Sequence, residues 1–268
     1  MTSPAPSPPE RAEAPLWSPF AALALVVVVI SSFAAAVAGV YRSGHPGGDL
    51  PLSVSAALTV VQDGLFVLAA WLTLKLSLGR AGPADLGLRR LRRIGPAVWA
   101  AAVVYVAFLG SSWALSAIFG NPPDQELVTD IKHEQTTLVL VVFAVMTCIV
   151  APVAEEIFFR GFMFRVFRAK LGAVWGALLC GAVFGLVHAP APAISLVALG
   201  VLGVGLCFLY ARVQSIIPCM ALHALNNSIT FGLATKLDGA ALAGLVVGSV
   251  GLVIAGATAV SARPVVTA

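Results

Sequence analysis

The sequence predicts an all-α fold, a polytopic membrane bundle of about eight transmembrane helices. Of its 268 residues, 59% are hydrophobic and only 10% are charged, whereas soluble domains carry about 25% charged residues. Apolar runs long enough to span a bilayer recur along the whole chain. Most basic residues lie in the loops between these runs, where they determine topology, so the net charge of +4 does not indicate nucleic-acid binding.

The N-terminal part, residues 20–135, is predicted to form transmembrane helices that follow a disordered tail at residues 1–19. The tail is rich in Pro, Ser and Ala. The first apolar run, about 20–40, is too long for a signal-peptide core and lacks a convincing cleavage site, so we expect a retained helix. A second run at about 51–76 is interrupted by Gln62 and Asp63. We interpret Asp63 as a charge capped by Gln62 or by a neighbouring helix.

Loop charges predict the orientation of the bundle. The loop at 79–95 is the most basic of the chain, which places it in the cytoplasm under the positive-inside rule; its arginines are Arg80, Arg89, Arg90, Arg92 and Arg93. A third helix at about 96–119 leads to the loop 120–135, which is acidic and suits the outer side. His133 in this loop is interpreted as a solvated residue.

The C-terminal part, residues 136–260, is predicted to form the functional core, followed by a tail at 261–268. The run 137–168 would reach roughly 45 Å as one helix, longer than a hydrocarbon core of roughly 30 Å. Pro152 is expected to kink it. Further helices are predicted up to His188, up to Tyr210, and at about 216–233 and 239–260, with both chain termini cytoplasmic. Three small-residue motifs permit close helix approach: Gly172xxxGly176, Gly181xxxGly185 and Gly244xxxGly248.

Two adjacent carboxylates, Glu155 and Glu156, lie inside a long apolar run together with Arg160. Charges at membrane depth are costly and usually mark function. The alternative is a helix end at the headgroup level, where an exposed pair costs little. On a helix, Glu156 and Arg160 are one turn apart and can pair, whereas Glu155 points about 100° away. Glu155 is therefore free to act as a base.

Three more polar residues occur in later apolar runs. His188 ends the helix that follows the turn near Lys170, and antiparallel packing would bring it to a depth similar to that of Glu155. His223 and Asn227 are one turn apart and share a helix face, and Asn227 in hydrocarbon needs a partner. Taken alone, a histidine at a helix end such as His188 is more often a hydrogen-bonded structural residue than a catalyst.

This residue set suits hydrolysis, with two routes left open. Glu155 could activate water as a general base, while His188, His223 and Asn227 stabilise the developing oxyanion. Alternatively, Glu155, His188 and His223 could bind zinc with an open fourth position. An HExxH motif is absent, and we favour a site without a metal or other cofactor. The cysteines are interpreted as small buried side chains: Cys148, Cys180, Cys207 and Cys219.

The three motifs Glu155-Glu156-xxx-Arg160, Phe184-xxx-His188 and His223-xxx-Asn227 resemble the signature of the CAAX-protease and bacteriocin-processing (CPBP, or Abi) membrane peptidases. They occur in the order of that family, each on its own helix. The resemblance implies an intramembrane endopeptidase in an eight-helix bundle. It also implies that Glu155 activates water, that Glu156 and Arg160 support it, and that the other three residues complete the site.

The expected partners are a peptide or membrane-protein substrate and the lipid bilayer. The composition, rich in Ala and Gly and with Arg favoured over Lys, points to a bacterial cell membrane. Two other functions stay open. The chain could be a non-catalytic immunity or scaffold protein that keeps the motifs without turnover. It could also be a proton-coupled transporter that uses Asp63, Glu155 and the histidines as a relay, although we detect no internal repeat.

Overall fold

The computed structural model describes residues 39–41, 44, 52–79, 81–120, 136–189 and 191–261. The elements in these residues are helical, as the sequence predicts. In chain order, the α-helices are α1 (Leu52–Leu78), α2 (Ile94–Phe119), α3 (Thr137–Val145), α4 (Ala151–Phe158), α5 (Phe164–Leu186), α6 (Ala193–Val213), α7 (Ile217–Ala234) and α8 (Gly239–Val260).

Among the described residues, five segments are long and apolar enough to cross a membrane. They are Val54–Leu76, Ile94–Phe119, Thr137–Leu186, Ala193–Val213 and Gly239–Val260. The chain is therefore an integral membrane protein, but the predicted number of about eight helices is not confirmed. The predicted tail at 1–19 and most of the first apolar run lie outside the described residues. So do the loop 121–135 with His133 and the C-terminal tail beyond Ser261.

A single helical path carries the first motif. It runs through α3, a π-helical turn at Met146–Val150, α4, a second π-helical turn at Phe159–Met163, and the first part of α5. We call residues 137–171 the motif helix. The path reverses at Gly172, whose φ of 77° lies in the left-handed region that glycine adopts without a steric penalty. The 50-residue apolar segment Thr137–Leu186 is therefore a helical hairpin rather than one long span.

Pro152 disturbs the motif helix in a different way from the expected kink. It lies at the start of α4, directly after the first π-helical turn, where the N–H of Ala151 bonds to the carbonyl of Met146. Proline lacks an N–H and its ring collides with a carbonyl four residues back. A π-helical turn shifts the hydrogen-bond register by one residue, and such turns are frequent at functional sites. The irregularity accordingly ends just before the two carboxylates.

The core is built around aromatic rings that join three parts of the bundle. Phe66 of α1 stacks on Phe158 with ring centroids 4.7 Å apart and meets Phe159 edge-on at 5.6 Å. Phe159 in turn meets Phe184 of α5 edge-on at 5.0 Å. Such geometries add about 0.5–1.5 kcal/mol per pair beyond area burial. The cluster fixes α1 and α5 against the part of the motif helix that carries Glu155 and Arg160.

The basic loop, which we define as residues 81–93, packs against the connection between α6 and α7. Gly87 has a φ of 82°, and its carbonyl accepts a hydrogen bond of 3.1 Å from the N–H of Ile216. The hydroxyl of Ser215 donates to the carbonyl of Arg89 at 2.6 Å. These bonds hold one end of α1, α2, α6 and α7 together.

Candidate active site

Glu155 lies on α4 with its side chain directed into a cavity of the bundle. Its side chain is 9% exposed, and its Oε2 has no hydrogen-bond partner among the described residues. The polar oxygen of a buried carboxylate is costly to leave unpaired, so such positions usually have a functional explanation.

Two imidazoles face this oxygen from different helices. Nε2 of His188, just beyond the end of α5, lies 4.0 Å from Oε2 of Glu155. Nε2 of His223, on α7, lies 4.0 Å from the same oxygen. Both separations exceed a direct hydrogen bond. Both imidazole nitrogens thus approach the same carboxylate oxygen, and Glu155 and His188 line the cavity.

The other ring nitrogen of each histidine is already engaged, which fixes the tautomer of the neutral ring. Nδ1 of His188 lies 2.7 Å from the carbonyl oxygen of Phe184, which can only accept a hydrogen bond. Nδ1 of His223 lies 3.0 Å from Oε1 of Glu156. In each neutral imidazole Nδ1 therefore donates, and Nε2 presents its lone pair towards Glu155.

Glu156 links the arginine to the second histidine. Arg160 Nη1 donates to Oε1 of Glu156 at 2.7 Å, and both side chains are fully buried. The same oxygen accepts the bond from His223. Glu156 is thus charge-paired and holds the orientation of a ring that faces Glu155. The two adjacent carboxylates consequently have different surroundings.

Arg160 is further held by groups from two other helices. Its Nη2 donates to the carbonyl of Gly203 on α6 at 3.0 Å. Its guanidinium lies 4.6 Å from the ring centroid of Phe184, within the range of a cation–π interaction. Phe184 also contacts both histidine rings, with centroid distances of 5.0 Å to His188 and 5.6 Å to His223.

Asn227 lies one turn after His223 on α7 and lines the same cavity. Its Nδ2 donates to the carbonyl of Thr147 at 2.9 Å. Thr147 belongs to the first π-helical turn. An amide nitrogen carries two hydrogens, so one donor of Asn227 remains for a bound group. No direct bond joins Asn227 to Glu155 among the described residues.

The cavity has a volume of about 370 Å³ and brings together residues from α1, α2, the motif helix, α6 and α7. Apart from Glu155 and His188, its polar lining consists of neutral hydroxyls and amides: Thr59, Gln62, Ser112, Ser116, Thr147, Ser195, Asn226, Asn227 and Thr230. Neutral donors and acceptors suit peptide groups, which are themselves uncharged and hydrogen-bonding. His223 is 3% exposed and does not line the cavity itself, and its Nε2 lies 4.0 Å from Oε2 of Glu155.

Sequence reasoning missed much of this lining. Gln62 was interpreted only as a cap for Asp63, and Ser112 and Ser116 of α2 were not singled out. Single polar residues in an apolar helix give no signal of which face they occupy until the helix is packed. For Gln62, its position within an intramembrane run was a usable signal.

Asp63 is buried in α1, on the side of the helix that faces Ile149, Val153 and Ala154. It does not line the cavity that contains Glu155. Its Oδ1 has no hydrogen-bond partner among the described residues. The expected cap from Gln62 is therefore not observed at this oxygen. Gln62 instead lines the cavity with Glu155.

The donor atoms of Glu155, His188 and His223 match zinc in chemical type but not in spacing. Ligand atoms about 2.0–2.1 Å from a tetrahedral zinc lie about 3.3 Å from one another. Both imidazole nitrogens lie 4.0 Å from the carboxylate oxygen. No group of three or more His, Cys, Asp or Glu side chains in the described ranges has the geometry of a metal site.

Residues 137–229 match the family of type II CAAX prenyl endopeptidases that are Rce1-like. The matched segment begins with α3 and ends just beyond Asn227, so it contains all three motifs. The family resemblance indicated by these motifs is confirmed. The segment covers about a third of the 268 residues, and it is the part of the bundle that carries the candidate active site.

This chain is 29% identical over 145 residues to YdiL of Bacillus subtilis (strain 168). YdiL is named, provisionally, as a membrane peptidase. The alignment covers 53% of this chain and 57% of YdiL, so the chain spans just over half of this relative. No solved structure matches the chain. The comparisons together support a CAAX-protease-like membrane peptidase.

Proposed function

We propose that this protein is an intramembrane endopeptidase in which Glu155 activates a water molecule to hydrolyse a peptide bond. One observation carries the proposal. Two imidazole Nε2 atoms stand 4.0 Å from an unpartnered buried carboxylate oxygen, at the base of a cavity lined with neutral polar groups. A water can lie at hydrogen-bond distance from this oxygen and from an imidazole nitrogen at the same time, because 4.0 Å is shorter than two hydrogen-bond distances.

The proposed reaction begins with proton transfer from this water to Glu155. The oxygen of the water forms a bond to the carbonyl carbon of the substrate, and the carbonyl π electrons move to its oxygen. Collapse of this tetrahedral intermediate breaks the C–N bond, and Glu155 returns the proton to the leaving amine. No electron is exchanged with a co-reactant, and one water is consumed per bond.

The remaining residues serve the intermediate and the geometry of the site. The free N–H of Asn227 is a donor for the oxyanion. His223 is oriented by Glu156 through Nδ1, so that its Nε2 points towards Glu155 and the water. His188 is the more accessible imidazole, with 27% of its side chain exposed, and is suited to accept a hydrogen bond from the water. Arg160 acts by positioning Glu156.

The decisive experiment compares Glu155→Gln with the wild type on two probes in detergent or liposomes. One probe is a library of internally quenched peptides, and the other is a farnesylated peptide with a CaaX terminus. Glutamine keeps the shape of the side chain but cannot take a proton from water. We expect cleavage to fall by about 10²–10⁴-fold or more, the usual contribution of a general base.

Asp238→Asn is the matched control. Asp238 is an exposed carboxylate that caps α8, and asparagine preserves the capping bond to the N–H of Ala241. This variant should cleave like the wild type. Full cleavage by Glu155→Gln, or no cleavage of either probe by the wild type, would contradict the proposal. The second result would favour a non-catalytic scaffold.

A further inference from the structure

We infer that the catalytic cavity opens on the extracytoplasmic side of the membrane, so its substrate is a peptide segment presented there. The choice of substrate rests on the proposed function, whereas the direction of the opening rests on geometry and charge alone.

The cavity lies at the end of the bundle remote from the basic loop. Ser116 precedes the last turn of α2, and Ser195 belongs to the first turn of α6. His188 follows the end of α5, and Thr230 lies one turn before the end of α7. The basic loop instead connects the opposite ends of α1 and α2. In the part of the chain that the structure describes, the cavity lining therefore reaches the end of the bundle opposite the basic loop.

The end that carries the basic loop is closed by packing. Leu88 of the loop is buried with Ile216, and the loop is bonded to the connection between α6 and α7. Arg165 donates to the carbonyls of Asp85 and Gly161, which holds the loop against the motif helix. Among the described residues, these contacts close the basic end of the bundle.

Charge assigns the closed end to the cytoplasm. Its exposed basic side chains come from four separate connections and helix ends: Lys75, Arg89, Arg90, Arg92, Arg93, Arg168, Lys170 and Arg212. In the described ranges, the loop between α7 and α8 at the other end carries Lys236 and Asp238, which cancel. Cytoplasmic loops are enriched in Lys and Arg. The cavity end therefore faces away from the cytoplasm.

The size of the cavity limits what can enter. A volume of about 370 Å³ lies at the small end of the range for small-molecule sites. It admits a short extended stretch of peptide rather than a folded domain. We therefore expect the cleaved bond to lie in an unfolded segment of a secreted or membrane-anchored peptide that reaches the outer leaflet.

The test uses two single substitutions and a thiol reagent that does not cross membranes. Ser116→Cys places a thiol at the cavity mouth, and Arg92→Cys places one on the basic loop. The four native cysteines are all buried, so they give little background. In bacterial spheroplasts we expect Ser116→Cys to react from outside, and Arg92→Cys to react only after the membrane is permeabilised.

Thr230→Cys, on an exposed residue of the same cavity lining, is the second reporter. Reaction of Arg92→Cys from outside overturns the inference, as does failure of both cavity reporters to react before permeabilisation. The same labelling in the Glu155→Gln background separates the two proposals. Loss of the expected pattern refutes the orientation, whereas unchanged cleavage by Glu155→Gln refutes the proposed function alone.

Discussion

At the scale of the residue, Arg160 is the side chain whose environment is least like that of a membrane-spanning helix. It is fully buried, and Glu156, the carbonyl of Gly203 and the ring of Phe184 contact its guanidinium. Its Nε has no hydrogen-bond partner among the described residues. Every one of these partners belongs to an element that also carries or touches a site residue. Arg160 therefore couples the fold to the orientation of His223 through Glu156.

Arg160→Ala should destabilise the protein by about 3–5 kcal/mol, because it leaves Glu156 buried without its cation. Thermal unfolding in detergent measures this change. The double variant Arg160→Met with Glu156→Gln removes both charges at similar volume and should recover most of the stability. A single Arg160→Ala variant as stable as the wild type would show that the pair contributes nothing.

Metal dependence can be tested at the same scale. The spacing of 4.0 Å between the carboxylate oxygen and each imidazole suits an intervening water better than a tetrahedral zinc. We expect peptide cleavage to survive prolonged chelation unchanged. Loss of cleavage on chelation, with recovery on added zinc, would contradict this expectation, since a bound metal couples to activity in that way.

The sequence predicted local relations at the site better than those between distant segments. The pairing of Glu156 with Arg160 follows from helical spacing alone, and it is present. The bond from His223 to Glu156 joins residues 67 positions apart. Its existence depends on how α7 packs against α4, so the sequence could assign Glu156 to the arginine but not to the histidine.

At the scale of the element, small residues decide how closely α5 approaches α6. A Cβ at Gly181 would lie 2.5 Å from Cγ2 of Val204 and 2.7 Å from the carbonyl oxygen of Gly200. Gly203 on α6 similarly faces Gly181 and Phe184. Close approach at Gly181 thus brings the carbonyl of Gly203 within reach of Arg160. At Gly244 and Gly248, by contrast, no described residue lies within 4 Å of the Cβ position.

Gly181→Ala should therefore destabilise the bundle by about 1–3 kcal/mol, the usual cost of overpacking. Gly244→Ala is the control, because Gly244 also lies inside an apolar helix and no described residue is within 4 Å of its Cβ position. It should be neutral or slightly stabilising, as alanine is the better helix former. Equal melting temperatures for the two variants would refute the packing argument.

The contrast between Gly181 and Gly244 shows which features of helix packing the sequence predicts and which it does not. Small-xxx-small spacing was expected to permit close approach at all three motifs. Only the packed structure reveals which motif faces a neighbouring helix. The spacing of two glycines shows that they share a helix face, but it does not show where that face points. The π-helical turns beside α4 were likewise not predicted. A proline indicates that the helix is irregular, but it does not show whether the irregularity is a kink or a π-helical turn.

At the scale of the whole molecule, the bundle is divided into a closed basic end and an end with a polar cavity. The all-α membrane class was predictable from composition and apolar run length. The cavity was not, because four of its polar lining residues come from α1 and α2, which carry no recognisable motif. These are Thr59, Gln62, Ser112 and Ser116. Their convergence is a property of the assembled helices.

The intrahelical pairing of Glu156 with Arg160 has a consequence for biogenesis. An isolated charged residue at the centre of a helix costs about 2.5–3.5 kcal/mol when the translocon passes it into lipid. These two residues are one turn apart and can neutralise each other before any neighbouring helix is present. Glu155 cannot, because its imidazole neighbours arrive with segments synthesised later. Over residues 137–164, the nascent motif helix thus enters the bilayer with a single unshielded charge, at the residue that we propose to be the general base.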